Sequence, residues 1–248
     1  MTFNDVYKPR RKLLQQGRYR RTQAVMVEYR IRSYEGSDYE VVRDLFSHGM
    51  SEYVPSVCFH VLMRPWVLFV LICMFLSLLF SSKSLILPVL AITLTLALGR
   101  QFLGYCWNLY IDHCLKEDLC NIQKTYMEDP NCHFWVAESE DHVVGTVAAK
   151  PSDETQEELL LKRMSVRKDF RGIGIAKALS REVIAFARQR GYRSVILNTL
   201  MIQHEAQGMY KSVGFKKYTE FLLPTVYGRL INLTISRYRY DIPVVPAK

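Results

Sequence analysis

Two apolar runs, Trp66 to Phe80 and Leu85 to Leu98, separated only by Ser81-Ser82-Lys83-Ser84, constrain this chain more than any other feature. The first run holds Trp, Val, Leu, Phe, Ile, Cys, Met and a single Ser. A helix that is apolar on every side must be covered by protein or by lipid. At 248 residues the chain has room for one sizeable mixed α/β domain and an accessory segment, not for the protein needed to bury two such helices. Each run falls short of the ~20 residues that cross a hydrocarbon core, though Val61 to Met63, or Phe102 and Leu103, extend them. Two short tilted helices or a re-entrant hairpin are therefore expected over 64–104, inserted in a membrane, with lipid as a partner.

The formal net charge of +9 suggests nucleic acid until it is located. Lys8, Arg10, Arg11, Lys12, Arg18, Arg20, Arg21, Arg30 and Arg32 face only Asp5 and Glu28, so most of the excess is a basic front arm. Such an arm suits an anionic membrane surface as well as nucleic acid, or it is a solvated tail without a partner. No motif of interleaved aromatic and basic residues accompanies it, and no nucleic-acid partner is expected. The six cysteines form no CxxC pair and read as reduced packing residues; no metal is expected. Met1 to Lys12 is polar and charged, which does not make a cleavable signal peptide.

Around the insert the patterns alternate between strand and helix. Val27 to Ser33 reads as a strand, and Ser37-Asp38-Tyr39-Glu40 opens a helix reaching Met50. After the insert, Tyr105 to Met127 reads as a helix polar on one side. Phe134 to Ala137 and Val143 to Ala148 form a hairpin pattern. Leu159 to Val166 reads as a strand leading into Arg171-Gly172-Ile173-Gly174-Ile175-Ala176 and a helix ending near Gly191. Ser194 to Asn198 is a further strand, Glu205 to Ser212 a short helix, and Leu230 to Tyr240 a late strand. The segments are an arm (1–25, disordered), a first domain part (26–63), the hairpin (64–104), the main domain part (105–241) and a tail (242–248).

The most informative piece is strand, then Arg171 to Ala176, then helix. Glycines at 172 and 174 allow a tight turn with exposed N–H groups, and the following helix points its positive end into that turn. That is a pyrophosphate cradle. The dinucleotide fingerprint needs a third Gly or Ala where Lys177 stands, and an acid after the next strand, which ends in Asn198-Thr199. NAD binding is therefore disfavoured.

Met164-Ser165-Val166 followed by Arg171-Gly-Ile-Gly-Ile-Ala176 resembles the acetyl-CoA motif of the GNAT superfamily. Gln203-x-x-Ala206-x-x-Met209-Tyr210-x-x-x-Gly214-Phe215 is similar to that superfamily's later motif, with Gln in place of Asn. The hairpin's position, with Phe134-Trp135-Val136-Ala137-Glu138 and Gly174 to Leu179, further resembles the camello-type N-acetyltransferases. That family includes cysteine S-conjugate, aspartate and protein-lysine acetyltransferases. The resemblance implies an α/β GNAT fold, a mixed central sheet with flanking helices interrupted by the apolar membrane hairpin.

It also implies direct acetyl transfer from acetyl-CoA to an amine. Met164, Ser165 and Val166 would hold the pantetheine arm and polarise the acetyl carbonyl. Arg171, Gly172, Ile173, Gly174, Ile175, Ala176 and Lys177 would take the pyrophosphate, with Gln203 at the later motif. Tyr210 would protonate the departing thiolate, unless it is only a core tyrosine packed on Phe215. For the base, Glu158, at the start of the strand entering the site, is the first candidate, followed by Glu157 and His204. Lys162, Arg163 and Arg193 could meet a substrate carboxylate. The expected acceptor is a small amino-acid-like amine, S-substituted cysteine first. L-Aspartate, protein lysine and an inactive CoA-binding module are the alternatives.

In such a fold Val27 to Met50 must pack with everything after Cys132, so both ends of the insert lie on one side of the membrane. Arg64, Arg100 and the arm favour a cytosolic catalytic domain, at the endoplasmic reticulum. A lumenal orientation would expose the sequon Asn232-Leu233-Thr234.

Overall fold

The computed structural model describes residues 28–243; the arm expected over 1–25, and the tail beyond Pro243, lie outside the described residues. Among the described residues seven strands form one sheet in the order β1-β2-β3-β4-β5-β7-β6. They are β1 (Arg30–Ser33), β2 (His133–Ser139), β3 (His142–Pro151), β4 (Glu158–Val166), β5 (Ser194–Leu200), β6 (Lys216–Leu222) and β7 (Thr234–Asp241). Neighbours run antiparallel except β4 and β5, which are parallel. The helices are α1 (Tyr39–Ser51), α2 (Val54–Leu62), α3 (Pro65–Ser82), α4 (Ile86–Lys116), α5 (Ile175–Gln189), α6 (His204–Val213) and α7 (Val226–Leu230).

The sheet is covered on both faces, which is why its central strands read as unbroken apolar runs. Alternation along β2 sends Phe134 and Val136 into a core with α1 and the end of α4, through Val42, Phe46, Trp107 and Ile111. Trp135 and Ala137 point to the other face, where α5 contributes Leu179, Val183 and Ala187. Strand β6 has no counterpart in the sequence reading. All seven of its residues are exposed, so no buried face imprints a period on Lys216 to Leu222, and its charged side chains suit an edge. The late strand starts at Thr234 rather than Leu230, because Val226–Leu230 is taken up by a short helix.

Strand β1 lies before the insert and pairs with β2 after it, from Arg30 opposite Glu138 to Ser33 opposite Trp135. Both ends of the insert therefore return to one domain. Arg30 and Arg32, counted above with the basic arm, belong to this sheet: both bond Glu138, and Arg32 also holds Asp38 through bonds of 2.7 and 2.8 Å.

Pro65 occupies the first turn of α3, where its missing N–H has no partner to lose, and Lys83 ends the helix in the left-handed region at φ 50°. No residue of α3 is buried, and Phe80 and Ile86 are 79% and 71% exposed. Both α3 and α4 are long and apolar enough to cross a membrane. The sequence reading separated the second apolar run from a helix beginning at Tyr105. The structure makes them one helix of 31 residues, about 46 Å long at the α-helical rise. No proline interrupts the stretch from Leu98 to Lys116, so nothing stops the helix where its composition turns polar.

Candidate active site

The loop between β4 and α5 has the backbone that its glycines allow. Gly172 and Gly174 lie at φ 83° and 99°, a left-handed region costly for a residue with a Cβ. A Cβ at Gly172 would meet nothing within 4 Å, so the backbone conformation and not crowding demands glycine there. Gly174 caps α5 without a side-chain bond, and the first helical donor is Ala178 N to Gly174 O at 3.0 Å. The N–H groups of Ile175, Ala176 and Lys177 thus have no intrahelical acceptor, and the helix's first turn contains no acid. Free amides, a positive helix end and open space suit a pyrophosphate.

Arg171 has a different place from the one its motif position suggests. Its Nε donates to Val166 O at 2.9 Å, and its two Nη groups bond the Glu52 carboxylate at 2.6 and 3.1 Å. The side chain clamps the loop to the end of α1, while its backbone remains part of the cradle.

Upstream, β4 carries a bulge. Ala148 pairs with Lys162 but Thr146 pairs with Ser165, so β4 has one residue more than β3 across this stretch. Arg163 absorbs the extra residue at φ 54°, and Thr146 Oγ1 donates to its carbonyl at 3.0 Å. The β4–β5 ladder stops at Leu161 opposite Leu197. Beyond it the parallel strands part, and backbone groups of Met164 to Val166 on the β5 side have no strand to bond. Helix α1 passes close by: a Cβ on Gly49 would sit 2.6 Å from Ser165 Oγ, which donates to Leu45 O at 3.1 Å.

The parting strands open into a cavity of about 930 Å³. Met164, Ser165, Val166, Arg171, Gly172, Ile173, Gly174, Ile175, Ala176, Lys177, Gln203 and Tyr210 all line it. Gln203 precedes α6, and its Oε1 accepts from Thr199 Oγ1 and Leu200 N, both at 2.9 Å, tying α6 to the end of β5. Tyr210 packs edge-to-face on Phe215 at 5.7 Å and also lines the cavity. Burial, with Tyr53 beside it, pushes its phenol well above the ordinary value.

Four candidates are elsewhere. Glu158 stands at the opposite end of β4, accepting from Ser194 Oγ at 3.2 Å and paired with Arg239 at 2.8 Å. A nine-residue strand spans about 26 Å from first to last residue, so the expectation of Glu158 at the reacting amine is corrected by its position. Glu157 pairs with Arg193 at 3.0 Å near that same end, which removes both from the site. His204 lines a separate, smaller cavity with His60.

The cavity's other lobe was not foreseen. Its wall is the last part of α4, with Trp107, Tyr110, His113 and Glu117, facing Phe46 and Met50 of α1. His113 Nε2 lies 3.8 Å from Glu117 Oε2. Just past α4, Asp118 is buried and bonded by Arg163 at 2.9 and 2.5 Å and by the Tyr126 hydroxyl, with Lys162 Nζ at 3.3 Å. Burial alone would raise the Asp118 carboxyl, but the Arg163 bonds and charge, with Lys162 and Tyr126, bring it down to about 2. The sequence signal for this lobe was the polar residues that continue an apolar helix without a break.

Comparison with known proteins agrees with this geometry. A model of the Acetyltransferase (GNAT) family matches residues 100–215. The chain is 39% identical over 217 residues to the probable N-acetyltransferase camello of Xenopus tropicalis, covering 88% of this chain and 99% of that one. It is 41% identical over 226 residues to human N-acetyltransferase 8B, covering 90% and 99%. Among solved structures, a GNAT-family acetyltransferase from Staphylococcus aureus Mu50 superposes with a TM-score of 0.52 at 20% identity, over 87% of this chain and all of that one. A Salmonella typhimurium acetyltransferase solved with acetyl-CoA superposes at 0.50 and 13% identity, over 88% and 96%. At such identities the likeness is one of fold.

Proposed function

The chain belongs to the camello and N-acetyltransferase 8 family of GNAT acetyltransferases, which are acetyl-CoA-dependent N-acetyltransferases, and from that premise we propose that it acetylates the α-amine of an S-substituted cysteine while anchored in a membrane by α3 and α4. One observation carries this reading: the wall of the lobe beyond the cofactor loop is the unbroken continuation of an apolar helix. A hydrocarbon core takes up about 20 residues of helix. With 31 residues, α4 has a surplus that forms the cavity wall at the membrane surface. An acceptor with an apolar S-substituent would concentrate in that same layer.

Acetyl-CoA supplies an activated acetyl thioester. The amides of Gly172 to Lys177 would hold its pyrophosphate, and unpaired N–H groups of Met164 to Val166 would polarise the acyl carbonyl. Tyr210, a phenol lining the cavity, would give its proton to the sulfur of the departing thiolate. The incoming ammonium must first lose a proton. His113 is the imidazole on this cavity's wall, within 3.8 Å of Glu117, and we assign it that part.

Arg64, at the head of α3, is a cation that favours a cytosolic catalytic domain, at the endoplasmic reticulum in this reading. The sequon residue Asn232 sits in an exposed turn whose carbonyl accepts from Arg64 Nη2 at 2.8 Å. Arg64 is the residue that opens α3, so this turn lies against the membrane surface. The membrane-embedded protein, given labelled acetyl-CoA and a panel of S-benzylcysteine, aspartate, free lysine and a histone-like peptide, is expected to acetylate S-benzylcysteine foremost. Acetylation of the peptide alone would overturn the substrate assignment.

A further inference from the structure

We infer that Lys162 is the anchor for the acceptor's carboxylate, and that the site admits acceptors bearing a single negative charge beside the amine; this rests on the substrate class proposed above. In a regular strand Lys162 and Arg163 would point to opposite faces. The bulge at Arg163 cancels that alternation, and both side chains reach Asp118. Two cations thus meet one carboxylate.

They do not share it equally. Arg163 is 8% exposed, lies over the Phe46 ring at 4.9 Å and makes two bonds to Asp118, whose oxygens also accept from Tyr126. That pair is closed and self-neutralising. Lys162 is 23% exposed, makes one contact with Asp118 at 3.3 Å, and lines the cavity. An ammonium has three N–H donors, so two remain for a ligand. The local balance of Lys162, Arg163 and Asp118 is one positive charge.

Lys162 stands two residues before Met164, just across the bulge from the amides assigned to the acyl carbonyl. That spacing suits an α-amino acid, whose carboxylate and amine are separated by one carbon. The rest of this lobe's wall adds the carboxylate of Glu117 and the rings of Trp107, Tyr110 and Phe46, while the guanidinium of Arg163 is already paired with Asp118. A monocarboxylate with an apolar substituent is the complementary charge and shape. An aspartate-like acceptor is not.

The test compares S-benzylcysteine with S-benzylcysteamine, which has the same amine and thioether without the carboxylate, using full-length protein in membranes. The wild type is expected to show a KM at least about tenfold lower for the acid, the size of a charge-assisted hydrogen bond. In Lys162→Met, and again in Lys162→Gln, that KM ratio is expected to fall towards one through the acid's KM, with kcat for the acid within about threefold. Lys162→Arg should retain most of the ratio. An unchanged ratio in Lys162→Met, or a loss in kcat with KM preserved, would overturn the assignment of Lys162 alone. If the wild type acetylates neither compound but does acetylate another amine of the panel, the substrate reading falls, and the anchor falls with it.

Discussion

The two lobes of the cavity are built by different means. The cofactor lobe is mostly backbone: Met164 to Lys177 is one stretch of chain in which a bulge, two left-handed glycines and a helix start present amides in sequence order. The acceptor lobe is mostly side chain, brought together from α1, the end of α4, the Asp118 turn and β4. A backbone site tolerates many side chains but few changes of φ. A side-chain site holds its shape only while its buried charges remain paired.

Asp118→Asn strikes the second lobe hardest. It leaves Arg163 buried without a counter-charge, and a loss of about 3–5 kcal/mol in stability is expected, read from thermal or denaturant unfolding of the solubilised protein. The same pair makes stability depend on acid. The folded Asp118 carboxyl, at about 2, is below its ordinary value, so its contribution is complete above about pH 5 and disappears as pH falls towards 2. The gap in stability between wild type and Asp118→Asn should therefore narrow as pH is lowered from 6 to 3; a gap independent of pH would separate Asp118's charge from its role.

Tyr210→Phe acts where the lobes meet. It is expected to lower kcat by about a hundredfold at the low end of general-acid contributions, with acetyl-CoA affinity retained in equilibrium binding. Equal kcat would leave Tyr210 as the packing partner of Phe215 and nothing more. Gly174→Ala probes the first lobe through φ alone, since the nearest atom to a new Cβ is Tyr29 Oη at 4.0 Å. Strain of about 1–2 kcal/mol, or local rearrangement of the amides, should weaken acetyl-CoA binding about tenfold or more while leaving the Asp118 cluster intact. Glu52→Gln should have the smallest effect. The Arg171–Glu52 pair is part-exposed, at 35% and 37% of the two side chains, so a loss of up to about 1 kcal/mol, or fivefold in acetyl-CoA affinity, is the most expected.

The contrast between the lobes also explains what could be read before the structure. Gly172, Gly174 and the helix after them form a local pattern whose chemistry follows from neighbouring residues, and Tyr210 came with a second local motif. Glu52, Tyr53, His113, Glu117 and Asp118 belong to no such pattern. Asp118 and Arg163 are 45 residues apart in sequence and meet only because α4 returns to the sheet beside β4. Glu158 was misplaced for a different reason: it shares one extended strand with Met164 to Val166, and the length of that strand separates it from the site.

By itself the sequence determined the presence of an apolar insert, the strand hairpin after it, and a loop able to bind an anion. Each of these depends on hydrophobic period or on the freedom of glycine over a few consecutive residues. Tertiary structure decided that the second apolar helix continues unbroken to Lys116, that Arg171 clamps Glu52, and that Lys162 and Arg163 share one face. These depend on where distant segments cross and on a single bulge that reverses the alternation of a strand, and neither leaves a local trace in the chain.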